Sequence, residues 1–167
     1  MSDAEKLAAL LELEPHPEGG YYRRTYCSDG TTSLSRGERP HATAIYFMLE
    51  AGQVSAMHRI KSDECWHHYM GEKLLVREIK PDGTLVTHAL GKDIVAGERP
   101  FAVVAAGSWF GAELERGSQK GDFALVGCTV APGFDFADFE LAKTQELSAK
   151  YPAHEDLIRR LAPKSRA

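Results

Sequence analysis

Cysteine is scarce and unpatterned in this chain. Cys27, Cys65 and Cys128 stand far apart, are odd in number and show no metal-ligand spacing. They read as reduced thiols of a cytoplasmic protein, each a small buried hydrophobe. Basic charge is also short: 20 Lys and Arg face 24 Asp and Glu, for a net charge of -4 with no basic stripe. Nucleic acid is therefore not an expected partner. No apolar run is long enough to span a bilayer, since the longest, Phe101 to Ala112, is short and holds two glycines. No membrane partner is expected. The opening MSDAEKLAALLELE mixes acidic residues among its apolar ones, which is wrong for a secretory signal. Internal repeats and low-complexity segments are missing as well. What remains is a chain of 167 residues, 43% hydrophobic, of a size for one domain (1–167) with a real core.

The pattern of that domain is mostly β. A first helix is expected over 1–14, capped by Asp3 and stopped by Pro15 and Pro17. From 20 to 131, short runs rich in Tyr, Ile, Val, Phe and Thr alternate with Gly, Pro and Asp. Strands are expected at Tyr21–Tyr26, Thr43–Leu49, Ser55–Ile60, Glu64–Met70, Leu74–Ile79, Leu85–Ala89, Phe101–Val104, Ser108–Glu113 and Phe123–Val130. Lys80-Pro81-Asp82-Gly83 is a tight hairpin signal. Short strands at such regular spacing make a sandwich or a barrel. Helix returns over 138–162, with Asp138 as a candidate cap, a break at Tyr151-Pro152, and a second short helix from His154 to Leu161. The tail Pro163–Ala167 is expected to fray.

The residues with chemistry concentrate between Gly52 and Gly71. The spacing is glycine, five residues, His58, one residue, Ile60, three residues, Glu64, six residues, Gly71. Imidazole and carboxylate are ligands for divalent metals, and a working site needs about three protein ligands. His58 and Glu64 supply two; His67 or His68 is the candidate third. Strand alternation puts Glu64, Trp66 and His68 on one face and Cys65, His67 and Tyr69 on the other, and one bulge would exchange them. Without metal, a desolvated carboxylate beside an imidazole can move a proton on a small substrate. Tyr69, Tyr46 and Trp109 offer stacking faces and donors, and are equally consistent with ordinary core. A second distinctive stretch is PHPEGGYYRRTY at 15–26. Its prolines fix the entry and its glycines permit a sharp turn. Arg23 and Arg24 must point to opposite faces of the strand, so at most one reaches an interior, where it would bind a ligand carboxylate or phosphate. The Gly-Gly pair is not a phosphate-binding loop, because no helix and no lysine follow at the required spacing.

The 52–71 spacing resembles the first motif of the cupin superfamily, with Ile60 where that motif has a second histidine. The segment from Val104 to Phe110 resembles the second motif: Gly107 is present, Ala105 stands at the proline and Phe110 at the histidine. Two of the four usual metal ligands are thus missing. PHPEGGYYRRTY, TAIYFML at 43–49, SAMHRIKSDECWHHYMG at 55–71, AAGSWFGAEL at 105–114, GCTVAPGFDFADFELA at 127–142 and YPAHEDLIRRL at 151–161 together resemble cupin family 5. The resemblance implies an all-β double-stranded β-helix, a jelly-roll barrel with short terminal helices, paired into a homodimer around a small-molecule pocket. It carries Ser55, His58, Glu64, Trp66, His67 and Tyr69 as pattern residues and favours His67 over His68. The expected function is a metal-independent isomerase or epimerase of a sugar-like or small polar molecule. In it His58 is the base, Glu64 orients or acts as acid, and Tyr69 is a second donor. Ser55, Trp66, His67, His68, Trp109 and Phe110 line the ligand. The alternatives are a divalent-metal lyase or oxygenase using His58, Glu64 and His67, and a non-catalytic binding protein.

Overall fold

A computed structural model describes residues 1–163; the expected fraying of the tail beyond Pro163 falls outside the described residues. Helix α1 (Asp3–Leu10) is followed by thirteen strands and two more helices. The strands are β1 (Glu14–Pro15), β2 (Tyr21–Cys27), β3 (Thr31–Leu34), β4 (Gly37–Pro40), β5 (Thr43–Glu50), β6 (Val54–Arg59), β7 (Asp63–Gly71), β8 (Leu74–Ile79), β9 (Leu85–Leu90), β10 (Phe101–Val104), β11 (Trp109–Leu114), β12 (Phe123–Ala131) and β13 (Glu140–Leu141). The helices that follow are α2 (Thr144–Lys150) and α3 (Glu155–Arg160). All nine strands expected from the sequence are present, each within a residue or two of its expected ends.

Six strands form one antiparallel sheet in the order β1-β2-β5-β12-β7-β10, and five form the other, β13-β6-β11-β8-β9. The pair β3-β4 stands apart as a hairpin. Alternation does the sorting: inward residues of both sheets meet in a core of Phe47, Leu49, Trp66, Leu74, Val76, Phe110, Ala112 and Val126, all essentially inaccessible. Strand β11 is buried at every position. Its inward residues fill this core, while Trp109 joins Met57, Leu147, Tyr151, Leu157, Ile158 and Leu161 beneath α2 and α3 on the outer face. Helix α1 lays Ala4 against Met48 and Leu125 on the outside of the other sheet. No described helix is long and apolar enough to cross a membrane.

Two local expectations change. The first helix is capped by Ser2, not Asp3, through a reciprocal box in which Ser2 Oγ accepts from Glu5 N and Glu5 returns a bond to Ser2 N. Asp138 caps nothing; it sits in a 3₁₀ turn, and helix resumes only at Thr144. Its carboxylate instead takes a two-pronged contact from Arg39 (2.8 and 3.0 Å) and a third bond from Arg36 (3.2 Å). Those contacts pin the β3-β4 hairpin to the segment after β12.

Candidate active site

The core fills one end of the barrel. At the other end the sheets leave a cavity of about 510 Å³. Its floor carries His16, Glu18, His58, Glu64 and Cys128, and its walls include Ile45, Ile60, Val130 and the phenylalanines 134, 136 and 139.

The Pro-His-Pro-Glu-Gly-Gly segment builds half of that floor. A compact turn closes with His16 N–H on Gly20 O (2.9 Å) and Gly19 N–H on His16 O (3.0 Å). Ala56 N–H donates to Glu18 O at 2.7 Å, tying the turn to β6. Gly19 and Gly20 both hold positive φ, and a Cβ on Gly19 would run into the carbonyl oxygen of Val54. Only glycine lets the turn lie so close to β6, and that closeness delivers Glu18 to His58.

Glu18 is the centre of the floor. Ser55 Oγ donates to its Oε1 at 2.9 Å, and His58 Nε2 lies 2.9 Å from its Oε2. The other ring nitrogen of His58 donates to the Ala56 carbonyl at 2.7 Å. A carbonyl only accepts, so Nδ1 carries a proton; with Glu18 ionised, Nε2 carries one too and His58 is an imidazolium. Burial opposes charge on both partners, but their mutual attraction and hydrogen bond outweigh it. His58 is therefore held above its ordinary pKa. Glu18 is held below its own, with the hydrogen bond from Ser55 adding to the effect. The imidazole ring lies between Phe110, at 4.1 Å, and Phe139, stacked at 5.3 Å.

Glu64 meets the opposite treatment. Burial without a cation in hydrogen-bonding contact pushes it from 4.5 to about 7, against a partial pull from His58, and the charge of Glu18 adds to the rise. Its neighbour in the cavity is the Cys128 thiol, itself pushed well up by burial and by Glu64. Two carboxylates thus share one cavity, one favoured as the anion and one as the acid. His16 completes the set. The Glu18 N–H donates to its Nδ1 at 3.1 Å, which leaves the proton on Nε2. Burial lowers its pKa and keeps it neutral.

The sequence-predicted residues divide between the cavity and elsewhere. His58, Glu64 and Ser55 come together as described. Phe110 packs beneath the His58 ring, fully buried, and does not line the cavity. Trp66 is core, edge-on to Phe47 and Phe110. His67, favoured by the resemblance, faces out of the barrel, 3.2 Å from Thr129 Oγ1 and against Phe101. The β7 bulge falls beyond His68, between the partners of Leu125 and Val126, so simple alternation holds through His68. His68 is buried, but away from the cavity, with Nε2 donating to the Glu72 carbonyl at 2.9 Å. Tyr69 is exposed on the outer face, edge-on to Tyr46 and lying over Gly127. Trp109 lies on the outside of its sheet beneath Arg59. Of the two arginines, Arg24 lines the cavity, while Arg23 turns outward to Glu12.

Sequence reasoning overlooked His16 and Glu18 as side chains, although their segment stood out. Its prolines and glycines signalled a built turn; what the turn presents was not readable. Among the described residues, no group of three or more His, Cys, Asp or Glu side chains is arranged to hold a metal ion. The reason is local: both nitrogens of His58 already face acceptors, and His16 Nδ1 is taken by a backbone donor. As placed, these donors do not fit a metal.

Two face-to-face antiparallel sheets closed into a barrel, with an ionisable cluster inside one end, define a cupin. The chain belongs to the cupin superfamily family described as DUF985, whose sequence model matches residues 5–142. It is similar to a crystallised protein of Shewanella oneidensis, at 42% identity over 98% of this chain and 100% of the other, with a TM-score of 0.88. A hypothetical protein from Leishmania major matches at 32% identity over 96% and 99%, also with a TM-score of 0.88. Oxalate decarboxylase of Bacillus subtilis shares the fold at 14% identity, over 91% of this chain and 38% of that one, with a TM-score of 0.55. No curated protein matches.

Proposed function

We propose that this cupin binds a small polar, sugar-like molecule and shifts a proton on it without metal, as an isomerase or epimerase. The observation that carries the reading is the split pair of carboxylates in one cavity, Glu18 held as the anion by His58 and Ser55, Glu64 held as the acid by burial. Carboxyl groups pushed apart in this way are suited to opposite halves of one proton transfer.

In the proposed step Glu18 takes a proton from the carbon beside a carbonyl. The C–H bond breaks, an O–H bond forms on Glu18, and the electron pair passes onto the carbonyl oxygen as an enediolate. His16 Nε2–H, neutral and without a partner among the described residues, donates to that oxygen. Glu64 returns a proton to carbon and becomes the anion. His58 acts through Glu18, not on the substrate, because both its nitrogens are engaged. This reading moves the base from His58 to Glu18 and leaves Tyr69, on the outer face, without a part.

Further proposals concern assembly and location. The outer face of the six-stranded sheet exposes Tyr26, Tyr69, Phe101 and Val103, the last two on β10 at the sheet's edge. A second copy of the chain can extend that edge and cover the aromatics in one symmetric contact, giving a homodimer. The three cysteines are free, in keeping with a cytoplasmic setting.

The test is carbon–deuterium exchange in heavy water, followed by NMR with aldoses, ketoses and sugar acids, on protein treated with chelator. The reading expects exchange that survives chelation and is lost in Glu18→Gln. Exchange that requires added divalent metal would favour the lyase or oxygenase alternative; ligand binding with no exchange on any compound would favour a binding protein.

A further inference from the structure

Charge at the cavity mouth bears on what the cavity accepts. Arg24 is the one Lys or Arg among the cavity-lining residues. Among the described residues its guanidinium makes no ion pair and no side-chain hydrogen bond. The contrast with its neighbour is sharp: Arg23 is bound to the Glu12 carboxylate and the Leu11 carbonyl. Below Arg24 on the same strand face is Tyr22, whose ring packs on His16 at 4.5 Å. Arg24, Tyr22 and His16 therefore form a line from the opening to the floor.

We infer that Arg24 is the anchor for a carboxylate on the ligand, so that the cavity takes a small hydroxy or sugar acid whose carbon chain reaches down to Glu18 and Glu64. The inference rests on the reading of this cavity as the small-molecule site. Three features support it. A guanidinium presents a planar fork that matches a carboxylate with two parallel hydrogen bonds, and this one is free to do so. The cavity lining also carries Glu14, on β1 beside Tyr22, and Asp135, whose charges oppose a phosphate dianion more strongly than a monoanion. One oxygen of Asp135 is already engaged, accepting from the Ala137 N–H. Finally, a cavity of about 510 Å³ has room for one such acid and walls of Phe136 and Phe139 for its carbon face.

Calorimetric titration of the full chain tests this, using D-glucuronate, D-gluconate and L-lactate, each beside its neutral sugar or alcohol counterpart, and a sugar phosphate. At least one acid is expected to bind roughly tenfold or more tightly than its neutral counterpart, the usual scale of a charge-assisted pair. Arg24→Gln should erase that preference without changing the affinity for the neutral compound. Arg24→Lys should restore part of it, and Arg23→Gln should leave it intact. The inference is overturned if no acid outbinds its counterpart, if the preference persists in Arg24→Gln, or if the phosphate binds best. Binding needs no turnover, so an Arg24-dependent acid that shows no deuterium exchange would sink the proton-transfer reading and leave the carboxylate anchor standing.

Discussion

At the scale of single residues, the site depends on how burial is offset at each carboxylate. Glu18 and Glu64 are both buried, at 7% and 8% exposure. Only Glu18 has a cation in hydrogen-bonding contact, and that contact is the main difference between their protonation, with the charge of Glu18 raising Glu64 further. The consequence for stability has a definite sign. Between 4.5 and about 7 the folded chain keeps a proton on Glu64 that the unfolded chain has lost. Its contribution is full below 4.5 and disappears as pH rises through 7, amounting to about 3 kcal/mol across the window. Glu64→Gln should therefore melt higher than the parent well above pH 7 and close to it below 4.5, as seen in paired thermal melts across pH. His58→Gln removes the cation that holds Glu18 ionised, so Glu18 should titrate upward and exchange activity should fall at neutral pH. At this scale the sequence was half legible. His58 and Glu64 stood out by spacing within one motif, whereas Glu18 comes from a turn 37 positions before its partner Ser55, and no local periodicity encodes that meeting.

At the scale of elements, the strands were readable because each carries its own alternation and punctuation. The hairpin β3-β4 was not, since Thr-Thr-Ser-Leu and Gly-Glu-Arg-Pro lack an apolar face; a buried ion pair holds it from outside. Asp138→Ala would leave the Arg39 guanidinium, 6% exposed, without its carboxylate. A loss of stability in denaturant unfolding is expected, larger than for Arg36→Ala, whose side chain is more exposed. The turn before β2 is the second element to test. Gly19→Ala meets both an unfavourable φ of 107° and the Val54 carbonyl. It should cost about 2 kcal/mol or more and displace Glu18, so that ligand affinity falls along with stability. The same substitution at Gly52, where nothing lies near the added Cβ, should spare the cavity and the ligand affinity.

At the scale of the whole molecule, the barrel has two unlike ends. One is closed by Trp66, Phe47 and Phe110, the last standing where the cupin motif has a histidine; the other is open above the floor that holds Glu18, His58 and Glu64. The outer sheet face offers the assembly test: Phe101→Glu should shift sedimentation from dimer to monomer, while an unchanged coefficient in a monomeric parent would remove the proposed contact. The central claim is that one cavity holds an ionised and a protonated glutamate side by side. Carbon-13 NMR titration of the glutamate carboxyls, assigned with Glu18→Gln and Glu64→Gln, measures it directly. The account predicts Glu64 titrating near 7 and Glu18 below the ordinary 4.5. Two carboxyls titrating together near 4.5, or in the reverse order, would contradict it.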